Sequence, residues 1–236
     1  MGKATSPAKA PPRDGFDHVE VWVFDLDNTL YPARHNLFAQ IDRRMGEFIA
    51  DFLGIEVTEA KRLQKDYYYR HGTTLRGLML EHKLAPAAFL DYVHEIDLSP
   101  IPKDLQLERA LARLPGRKVI FTNASRGHAE RVTRHLGIDR HFEAIFDIAD
   151  ADYLPKPEAR AYRMLVDRHA IAPERALMVE DIARNLEPAA ALGMTTALVP
   201  NPHHWAKAGH DGAHIHHLVD DLADWLTAIG EASEEV

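Results

Sequence analysis

The chain has 236 residues, of which 46% are hydrophobic and 27% charged, and it contains no cysteine. This composition is typical of a globular protein, and the length allows one large domain or a domain with an insertion. The lack of cysteine excludes disulfides, thiolate metal sites and cysteine nucleophiles, and it favours a reducing cytoplasmic location. The net charge of −8 argues against a nucleic-acid polymer as partner, and no apolar run reaches membrane-span length, so we expect no membrane partner.

Taken in chain order, the sequence predicts an α/β fold after an N-terminal tail. Residues 1–17 are rich in Pro, Ala and Lys, which predicts disorder. Apolar runs predict strands at Val19–Phe24, Lys118–Thr122, Ala144–Asp147, Ala176–Glu180 and Thr195–Val199. Helical patterns lie between the later runs, at Arg126–Leu136, Glu158–His169 and Arg184–Leu192. This alternation predicts a Rossmann-like, mainly parallel sheet with helices on both faces.

One long segment interrupts the alternation. From about Asn36 to Asp97 the pattern is amphipathic and helical, with no convincing strand. The segment is either an ordinary crossover with extra helices or an inserted, all-helical cap domain, and its size favours the cap. We therefore predict a core formed by 18–33 and 102–236 and a cap formed by 34–101.

Polar residues follow the first two predicted strands. Asp25 and Asp27 come directly after Val19–Phe24, which indicates either a turn or a site at the carboxyl end of a buried strand. Thr122 and Asn123 end the second run before a predicted helix. A hydroxyl with free backbone N–H groups there is either a helix cap or a cradle for an anion.

Charged residues follow the third and fourth runs. Lys156 lies between two prolines, and a stiff backbone of this kind suits a charge directed at phosphate, although surface lysines are far commoner. Glu180 and Asp181 end the fourth run, with Asn185 shortly after. Adjacent acids at a strand end are either another cap or oxygen ligands for a hard cation.

The order of these motifs, each at the end of a separate predicted strand, resembles that of the haloacid dehalogenase (HAD) superfamily. The resemblance implies that Asp25 attacks phosphorus and becomes an aspartyl phosphate, and that Asp27 is the general acid and base. It implies phosphate binding by Thr122, the backbone N–H of Asn123, and Lys156. It also implies Mg²⁺ as cofactor, held by Asp25, the backbone carbonyl of Asp27, and Asp181. Glu180 and Asn185 would then lie in or near the second shell of the ion.

Further motifs narrow the choice within the superfamily. Dehalogenases of the superfamily lack the second aspartate, so Asp27 indicates phosphate chemistry. The segments Leu30-Tyr31-Pro32 and Gly72 to Met79, together with Ala213-His214-Ile215, resemble the pyrimidine 5′-nucleotidase branch. This resemblance implies hydrolysis of nucleoside 5′-monophosphates, with pyrimidine nucleotides favoured. The alternatives are a phosphatase or phosphomutase for another small monoester, such as phosphoglycolate or a sugar phosphate, and a non-catalytic binding or scaffold relative.

A phosphate-binding core recognises only the group that all monoesters share, so specificity is expected in the cap. Thr73, Thr74 and Arg76 provide two hydroxyls and a cation at a predicted helix start. The expected partner is a small phosphorylated metabolite, bound by a monomer or a homodimer. Two other features each have two interpretations. Tyr67-Tyr68-Tyr69 is either a base-stacking surface or a helix side split between core and solvent, and the histidines from 203 to 217 form either a solvated loop or a transition-metal site.

Overall fold

The computed structural model of the protein describes residues 15–203, 206 and 209–234. Six strands are observed: β1 Val21–Phe24, β2 Arg117–Phe121, β3 Ala144–Phe146, β4 Ala176–Glu180, β5 Thr195–Leu198 and β6 His217–Leu218. The α-helices are α1 Leu37–Leu53, α2 Val57–His71, α3 Thr74–His82, α4 Pro86–Val93, α5 Leu105–Arg113, α6 Arg126–Leu136, α7 Ala159–His169, α8 Ala183–Ala191 and α9 Leu222–Glu234. None of these helices combines the length and the apolar character needed to cross a bilayer.

The strands form one parallel sheet in the order β3-β2-β1-β4-β5-β6, which confirms the predicted α/β class. β1 pairs with β2 on one side and with β4 on the other, so it lies inside the sheet. Its residues are buried on both faces: Trp22 and Phe24 belong to one apolar cluster, and Val21 and Val23 to another. A strand covered on both faces needs apolar residues at every position, which explains the unbroken run in the sequence.

All five predicted strands are present, with ends that differ by at most two residues. The predicted helix Arg126–Leu136 is observed with those bounds, the helix predicted at 158–169 begins one residue later, and the helix predicted at 184–192 is shifted by one residue at both ends. The elements β6, α5 and α9 were not predicted. β6 has only two residues, and its Leu218 is 64% exposed, so neither length nor burial distinguishes it from a loop in the sequence.

Helices α1 to α4 lie between β1 and β2 in the chain and share an apolar cluster of their own. Ile49, Leu78 and Phe89 are almost fully buried within it. Ile148, which follows β3, also belongs to this cluster, so the helical segment rests on the sheet domain through apolar contacts. The all-helical insertion is therefore present, while the domain boundaries stay a prediction.

The predicted tail lies mostly outside the described residues. At its described end, Phe16 is 8% exposed, and its ring lies 5.3 Å from that of Trp225 in an edge-on contact. Within the described part of the chain, the apolar core of the sheet domain therefore begins at this residue.

Helices α2 and α3 touch at a glycine, and this contact gives a stability prediction. A Cβ at Gly77 would lie 2.4 Å from the Cβ and Cγ of the buried Tyr67. We expect Gly77→Ala to lower the free energy of unfolding by about 1–3 kcal/mol, because the helices must move apart. Gly127→Ala in α6 is the matched control, since its nearest contact is the flexible end of Arg131 at 3.9 Å. Urea titrations that show equal stability for both variants would contradict the claim that α2 and α3 pack too closely at Gly77 to admit a Cβ.

Candidate active site

The polar residues predicted from the strand ends meet at one edge of the sheet. Asp25 directly follows β1, Thr122 follows β2, and Glu180 is the last residue of β4. Because these three strands are parallel neighbours, their carboxyl ends lie side by side. The order of strands reverses at β1, and such switch points are where open α/β sheets bind ligands. All three side chains are buried.

Lys156 connects these strand ends. Its Nζ donates to Asp25 Oδ1 at 2.6 Å, to Glu180 Oε2 at 2.6 Å and to the Phe121 carbonyl at 2.9 Å. Asn123 fixes the lysine backbone, since its Oδ1 accepts the Lys156 N–H at 2.8 Å. Burial lowers the pKa of Lys156, but the two carboxylates outweigh burial and raise it above its ordinary value. The lysine is therefore a fixed positive charge beside Asp25.

Three buried carboxyl groups surround this single lysine charge. Asp25, Glu180 and Asp181 each offer an oxygen, and these oxygens lie within 4.8 Å of one another. Burial first, and then repulsion from Glu180, raises the pKa of Asp25 to about 7 despite Lys156. Burial, Glu180 and Asp25 likewise hold the pKa of Asp181 well above its ordinary range. A buried all-oxygen cluster with excess negative charge is suited to a hard divalent cation, so these residues could hold a metal ion.

The partners of these carboxylates differ. Glu180 uses one oxygen for Lys156, and its Oε1 accepts the backbone N–H groups of Asp181 and Ile182, both at 3.2 Å. Asp181 Oδ2 accepts a hydrogen bond from Asn201 Nδ2 at 2.5 Å. Both oxygens of Glu180 are therefore engaged, which fits the predicted supporting position of this residue.

Asp27 lies in a different environment from Asp25. Its Oδ1 accepts hydrogen bonds from the Tyr31 hydroxyl at 2.5 Å and from His128 Nε2 at 2.8 Å. The Asp27 side chain is 22% exposed, compared with 8% for Asp25. Burial alone would raise the pKa of Asp27, but His128 and the two hydrogen bonds lower it to about 2. Two carboxyl groups two residues apart thus have opposite pKa shifts, a pattern typical of sites that divide roles between acids.

A pair of stacked histidines lies behind Asp27. The rings of His94 and His128 are 4.5 Å apart, with an angle of 22° between their planes. His94 follows α4, and its Nδ1 lies 2.9 Å from the Ser125 hydroxyl at the start of α6. Burial first, and then the charge of His128, lowers the pKa of His94 to about 3, so this ring is neutral. The pair joins the end of the helical insertion to the site.

Sequence reasoning missed several of these contacts. His128 is 101 residues from Asp27, and no spacing rule connects them. Tyr31 and Thr29 could have been found, because they lie four residues after Asp27 and Asp25, and their hydroxyls donate to those carboxylates. A polar residue four positions after a site residue, in the turn that follows a strand, is a usable local signal.

Two predicted site residues have structural partners of their own. The hydroxyl oxygen of Thr122 accepts the N–H of Ala124 at 3.0 Å, which leaves its hydrogen available as a donor. Asn185 is buried in the first turn of α8, and its carbonyl accepts a hydrogen bond from Tyr162. The roles predicted for Thr122 and Asn185 stay predictions.

The predicted specificity residues also have partners within the protein. The Thr73 hydroxyl caps α3 by accepting the N–H of Arg76 at 3.2 Å, and the buried Thr74 hydroxyl donates to the Gln64 carbonyl at 3.1 Å. Arg76 forms an ion pair at 2.6 Å with Glu158. Glu158 directly precedes α7 and follows the loop that carries Lys156, which we call the Lys156 loop. Thr73 and Thr74 thus have defined structural roles, and their effect on specificity stays a prediction.

The turn before α3 lies against the Lys156 loop. A Cβ placed on Gly72 would be 3.6 Å from Pro155. The insertion makes a second contact with the sheet domain through Tyr68, whose hydroxyl accepts a hydrogen bond from Arg184 in α8. The insertion therefore contacts two segments of the sheet domain that follow strand ends, next to Lys156 and to Asp181.

The tyrosine triplet is split between different environments. Tyr67 is buried with its hydroxyl 2.6 Å from His82 Nε2, whereas Tyr69 is 75% exposed. Among the C-terminal histidines, His204 lies outside the described residues. His214 Nε2 lies 3.0 Å from the Ala183 carbonyl, and His216 Nδ1 lies 3.1 Å from the backbone nitrogen of Thr196. These two rings therefore have partners in α8 and β5.

Curated relatives match most of the chain. Phosphate metabolism protein 8 of Saccharomyces cerevisiae is 25% identical over 220 residues, which cover 86% of this chain and 62% of that protein. Tyrosine-protein kinase PtkA of Mycobacterium tuberculosis is 35% identical over 214 residues, which cover 84% of this chain and 65% of that protein. The chain thus spans slightly less than two thirds of the length of these curated relatives.

Solved structures share the fold. A HAD phosphatase from Thermococcus onnurineus has a TM-score of 0.57 at 17% identity, covering 85% of this chain and 93% of that chain. CbbY from Rhodobacter sphaeroides, in complex with phosphate, has a TM-score of 0.56 at 21% identity, covering 87% and 96%. The L-2-haloacid dehalogenase PA0810 has a TM-score of 0.54 at 16% identity, covering 92% and 100%. The family model for haloacid dehalogenase-like hydrolases matches residues 19–193, and the chain belongs to that family.

Proposed function

We propose that this protein is a Mg²⁺-dependent phosphomonoesterase that hydrolyses nucleoside 5′-monophosphates, pyrimidine nucleotides foremost, through an aspartyl phosphate on Asp25. The observation that carries the phosphatase assignment is Asp27, held by Tyr31 and His128 beside the nucleophile. An alkoxide leaves only with a proton, whereas a halide needs none. A second, positioned aspartate therefore favours phosphate esters over haloacids, which are substrates of other members of the family.

The reaction proceeds in two steps. A carboxylate oxygen of Asp25 attacks phosphorus, the bond from phosphorus to the alcohol oxygen breaks, and Asp27 gives its proton to that oxygen. A water oxygen then attacks the phosphorus, Asp27 takes the proton of the water, and the bond to Asp25 breaks to release inorganic phosphate. Asp27 acquires its proton for the first step because a dianionic phosphate beside it disfavours the ionised form.

The neighbouring residues supply charge and hydrogen bonds. Lys156, already 2.6 Å from Asp25, offsets repulsion between the carboxylate and the phosphate oxygens. Thr122 and the backbone N–H of Asn123 would donate to phosphate. Asp25 and Asp181, with the backbone carbonyl of Asp27, would hold Mg²⁺, and the all-oxygen cluster described above fits that ion. Bound Mg²⁺ supplies further positive charge for the developing transition state.

The nucleotide assignment rests on the insertion. The Gly72 to Met79 segment carries the resemblance to pyrimidine 5′-nucleotidases, and Gly72 lies against the loop that holds Lys156. A leaving alcohol bound at Asp25 would face this helical segment, which we propose acts as a cap. Contacts from the cap to the alcohol can distinguish a nucleotide from smaller monoesters such as phosphoglycolate or a sugar phosphate.

The relation to PtkA supports a second candidate, phosphoryl transfer from ATP to a protein tyrosine. The 35% identity to a protein of that name is the observation in its favour. The exposed side chain of Tyr69 provides an internal acceptor to monitor. Incubation with ATP and Mg²⁺, followed by phosphopeptide mass spectrometry, distinguishes transfer to tyrosine from release of phosphate.

The proposed function is tested by phosphate release from a panel of monoesters with Mg²⁺. The panel contains pyrimidine and purine 5′-monophosphates, phosphoglycolate, a sugar phosphate and p-nitrophenyl phosphate, with 2-chloropropionate assayed for chloride release. We expect the highest kcat/KM with a pyrimidine nucleotide and no chloride. Chloride release without phosphate release would refute the phosphatase assignment, and a preference for a non-nucleotide ester would refute the substrate class alone.

The ion pair between cap and core gives a prediction on specificity. If Arg76 recognises the nucleotide, Arg76→Met should raise KM for the nucleotide about tenfold and change p-nitrophenyl phosphate hydrolysis little. Glu158→Gln is the matched control, because it breaks the same ion pair but keeps the cation. If both variants raise KM for the nucleotide equally, the effect comes from loss of the ion pair and not from recognition of the nucleotide by Arg76.

A further inference from the structure

We infer that His128 is a positioning residue that, together with Tyr31, fixes Asp27 so that only its Oδ2 exchanges protons with the leaving group and with water. This inference rests on the proposed phosphatase function. It assigns a role to a histidine in α6 that the sequence motifs leave without one. The geometry of one carboxylate oxygen carries it.

Both hydrogen bonds to the Asp27 side chain converge on Oδ1. The Tyr31 hydroxyl donates to it at 2.5 Å and His128 Nε2 at 2.8 Å. Among the described residues, no hydrogen bond goes to Oδ2. When Asp27 carries a proton, the oxygen that already accepts two donors is the carbonyl oxygen, so the proton lies on Oδ2. The acid is thereby oriented before substrate arrives.

The His128 ring is fixed in a way that suits a donor. The residue is fully buried, and His94 stacks on one face at 4.5 Å. Its Nδ1 is buried without a hydrogen-bond partner among the described residues. An ionised carboxylate can only accept, so His128 Nε2 carries the proton of this hydrogen bond and Asp27 accepts it.

The stacked ring extends this arrangement to the insertion. His94 is held by Ser125 at Nδ1 and by Arg131, whose Nη2 donates to the His94 carbonyl at 2.6 Å. Rotation of His128 away from Asp27 would require this packing to open. The position of the acid therefore depends on contacts between α6 and the end of the helical insertion.

The test compares two esters of similar shape, phenyl phosphate and p-nitrophenyl phosphate. Phenoxide is the stronger base and needs a proton to leave, whereas p-nitrophenoxide leaves without one. We expect His128→Leu to lower kcat/KM for phenyl phosphate about 10–100-fold and for p-nitrophenyl phosphate less than about threefold. His128→Gln keeps an N–H donor near the position of Nε2 and should restore most of the loss. If His128 had only a structural role, its replacement would lower kcat/KM for both esters by the same factor.

His135→Leu is the matched control, since His135 also lies in α6 and its Nε2 contacts the Ile101 carbonyl at 2.8 Å, away from Asp27. In this control, the ratio of kcat/KM for phenyl phosphate to kcat/KM for p-nitrophenyl phosphate should equal that of the wild type. If His128→Leu does not fold, Tyr31→Phe is read in the same way, because it removes the other donor to Oδ1. If His128→Leu and Tyr31→Phe both keep the wild-type ratio of kcat/KM between the two esters, the inference is overturned. A wild-type protein that is inactive on both esters would instead refute the phosphatase function.

Discussion

Asp25→Asn should abolish steady-state hydrolysis of every phosphate ester, with a loss of at least about 10³-fold in kcat. Asp25 is the carboxylate that Lys156 contacts at the switch point of the sheet, and no covalent intermediate forms without its oxygen. An amide has nearly the same shape but is a far weaker nucleophile. Substrate binding should persist, because the other phosphate-binding groups are unchanged.

The folded state should tolerate this change. Repulsion from Glu180 contributes to the raised pKa of Asp25, so replacement by a neutral amide relieves part of the excess charge. The new side-chain oxygen can accept from Lys156, the Thr29 hydroxyl can turn to accept the amide N–H, and Lys156 keeps Glu180. We therefore expect the metal-free variant to melt at or above the wild-type temperature.

Asp147→Asn is the matched control for this variant. Asp147 also follows a strand, β3, and is buried, but it accepts the backbone N–H groups of Arg126 and Asp150. This control should keep activity. An acid-quenched reaction with ³²P-labelled substrate should trap a hydroxylamine-labile label on the wild type and none on Asp25→Asn. Appreciable turnover by homogeneous Asp25→Asn protein would remove Asp25 from the nucleophilic role.

The location of the candidate site could be predicted from sequence because two local patterns coincide there. The apolar run that includes Val21–Phe24 requires a strand buried on both faces, and Asp25 ends it. Once several such runs alternate with helices, parallel topology brings their carboxyl ends to one edge. The sequence therefore predicted which side chains meet, without any knowledge of distances.

The groups that tune those side chains could not be predicted in the same way. His128 contacts Asp27 from α6, His94 stacks on His128 from the insertion, and neither residue lies near a strand end. Contacts across 101 residues depend on how the helices pack, which local patterns do not determine. Burial and Glu180 raise the pKa of Asp25, whereas His128 and Tyr31 lower that of Asp27, so the opposite shifts become visible only in the fold.

Thr73 and Thr74 illustrate a different limit of prediction from sequence. A hydroxyl at a helix start can cap the helix or bind a ligand, and both uses require the same residue types. Thr73 caps α3, and Thr74 bonds to α2. The sequence placed these residues correctly at a helix start, but the bond of the Thr74 hydroxyl to α2 depends on how α3 packs on α2.

Removal of Mg²⁺ should abolish activity and lower stability in a pH-dependent manner. Without the ion, Asp25, Glu180 and Asp181 share one lysine charge. The pKa of Asp25 rises from 3.8 to about 7, and that of Asp181 rises in the same direction. A carboxyl group with a raised folded-state pKa contributes stability below its unfolded pKa, and that contribution is lost as the pH rises through the folded value. The metal-free protein should therefore lose stability between about pH 4 and above pH 7.

A bound divalent cation offsets the same excess charge, so its stabilising effect should grow over that pH range. Mg²⁺ at about one hundred times its Kd adds about 2.7 kcal/mol, which raises Tm by about 5–10 °C in a chain of this size. We expect this shift at pH 8 and a smaller one at pH 5, measured by thermal melts with Mg²⁺ or EDTA. Ca²⁺ should bind but inhibit, because it accepts more ligands and would engage both oxygens of Asp25.

Two variants distinguish binding of Mg²⁺ at the carboxylate cluster from a general effect of ions on Tm. Asp181→Asn should lose most of the Mg²⁺-dependent shift in Tm, and Asp147→Asn should retain it, since Asp147 has backbone partners outside the cluster. Activity lost on chelation should return when Mg²⁺ is added back. Full activity after exhaustive chelation, or equal rates with Ca²⁺, would contradict the assignment of Mg²⁺. A melting temperature at pH 8 that does not change with Mg²⁺ would show that this cluster does not bind the ion, because Lys156 supplies only one positive charge beside three carboxyl groups.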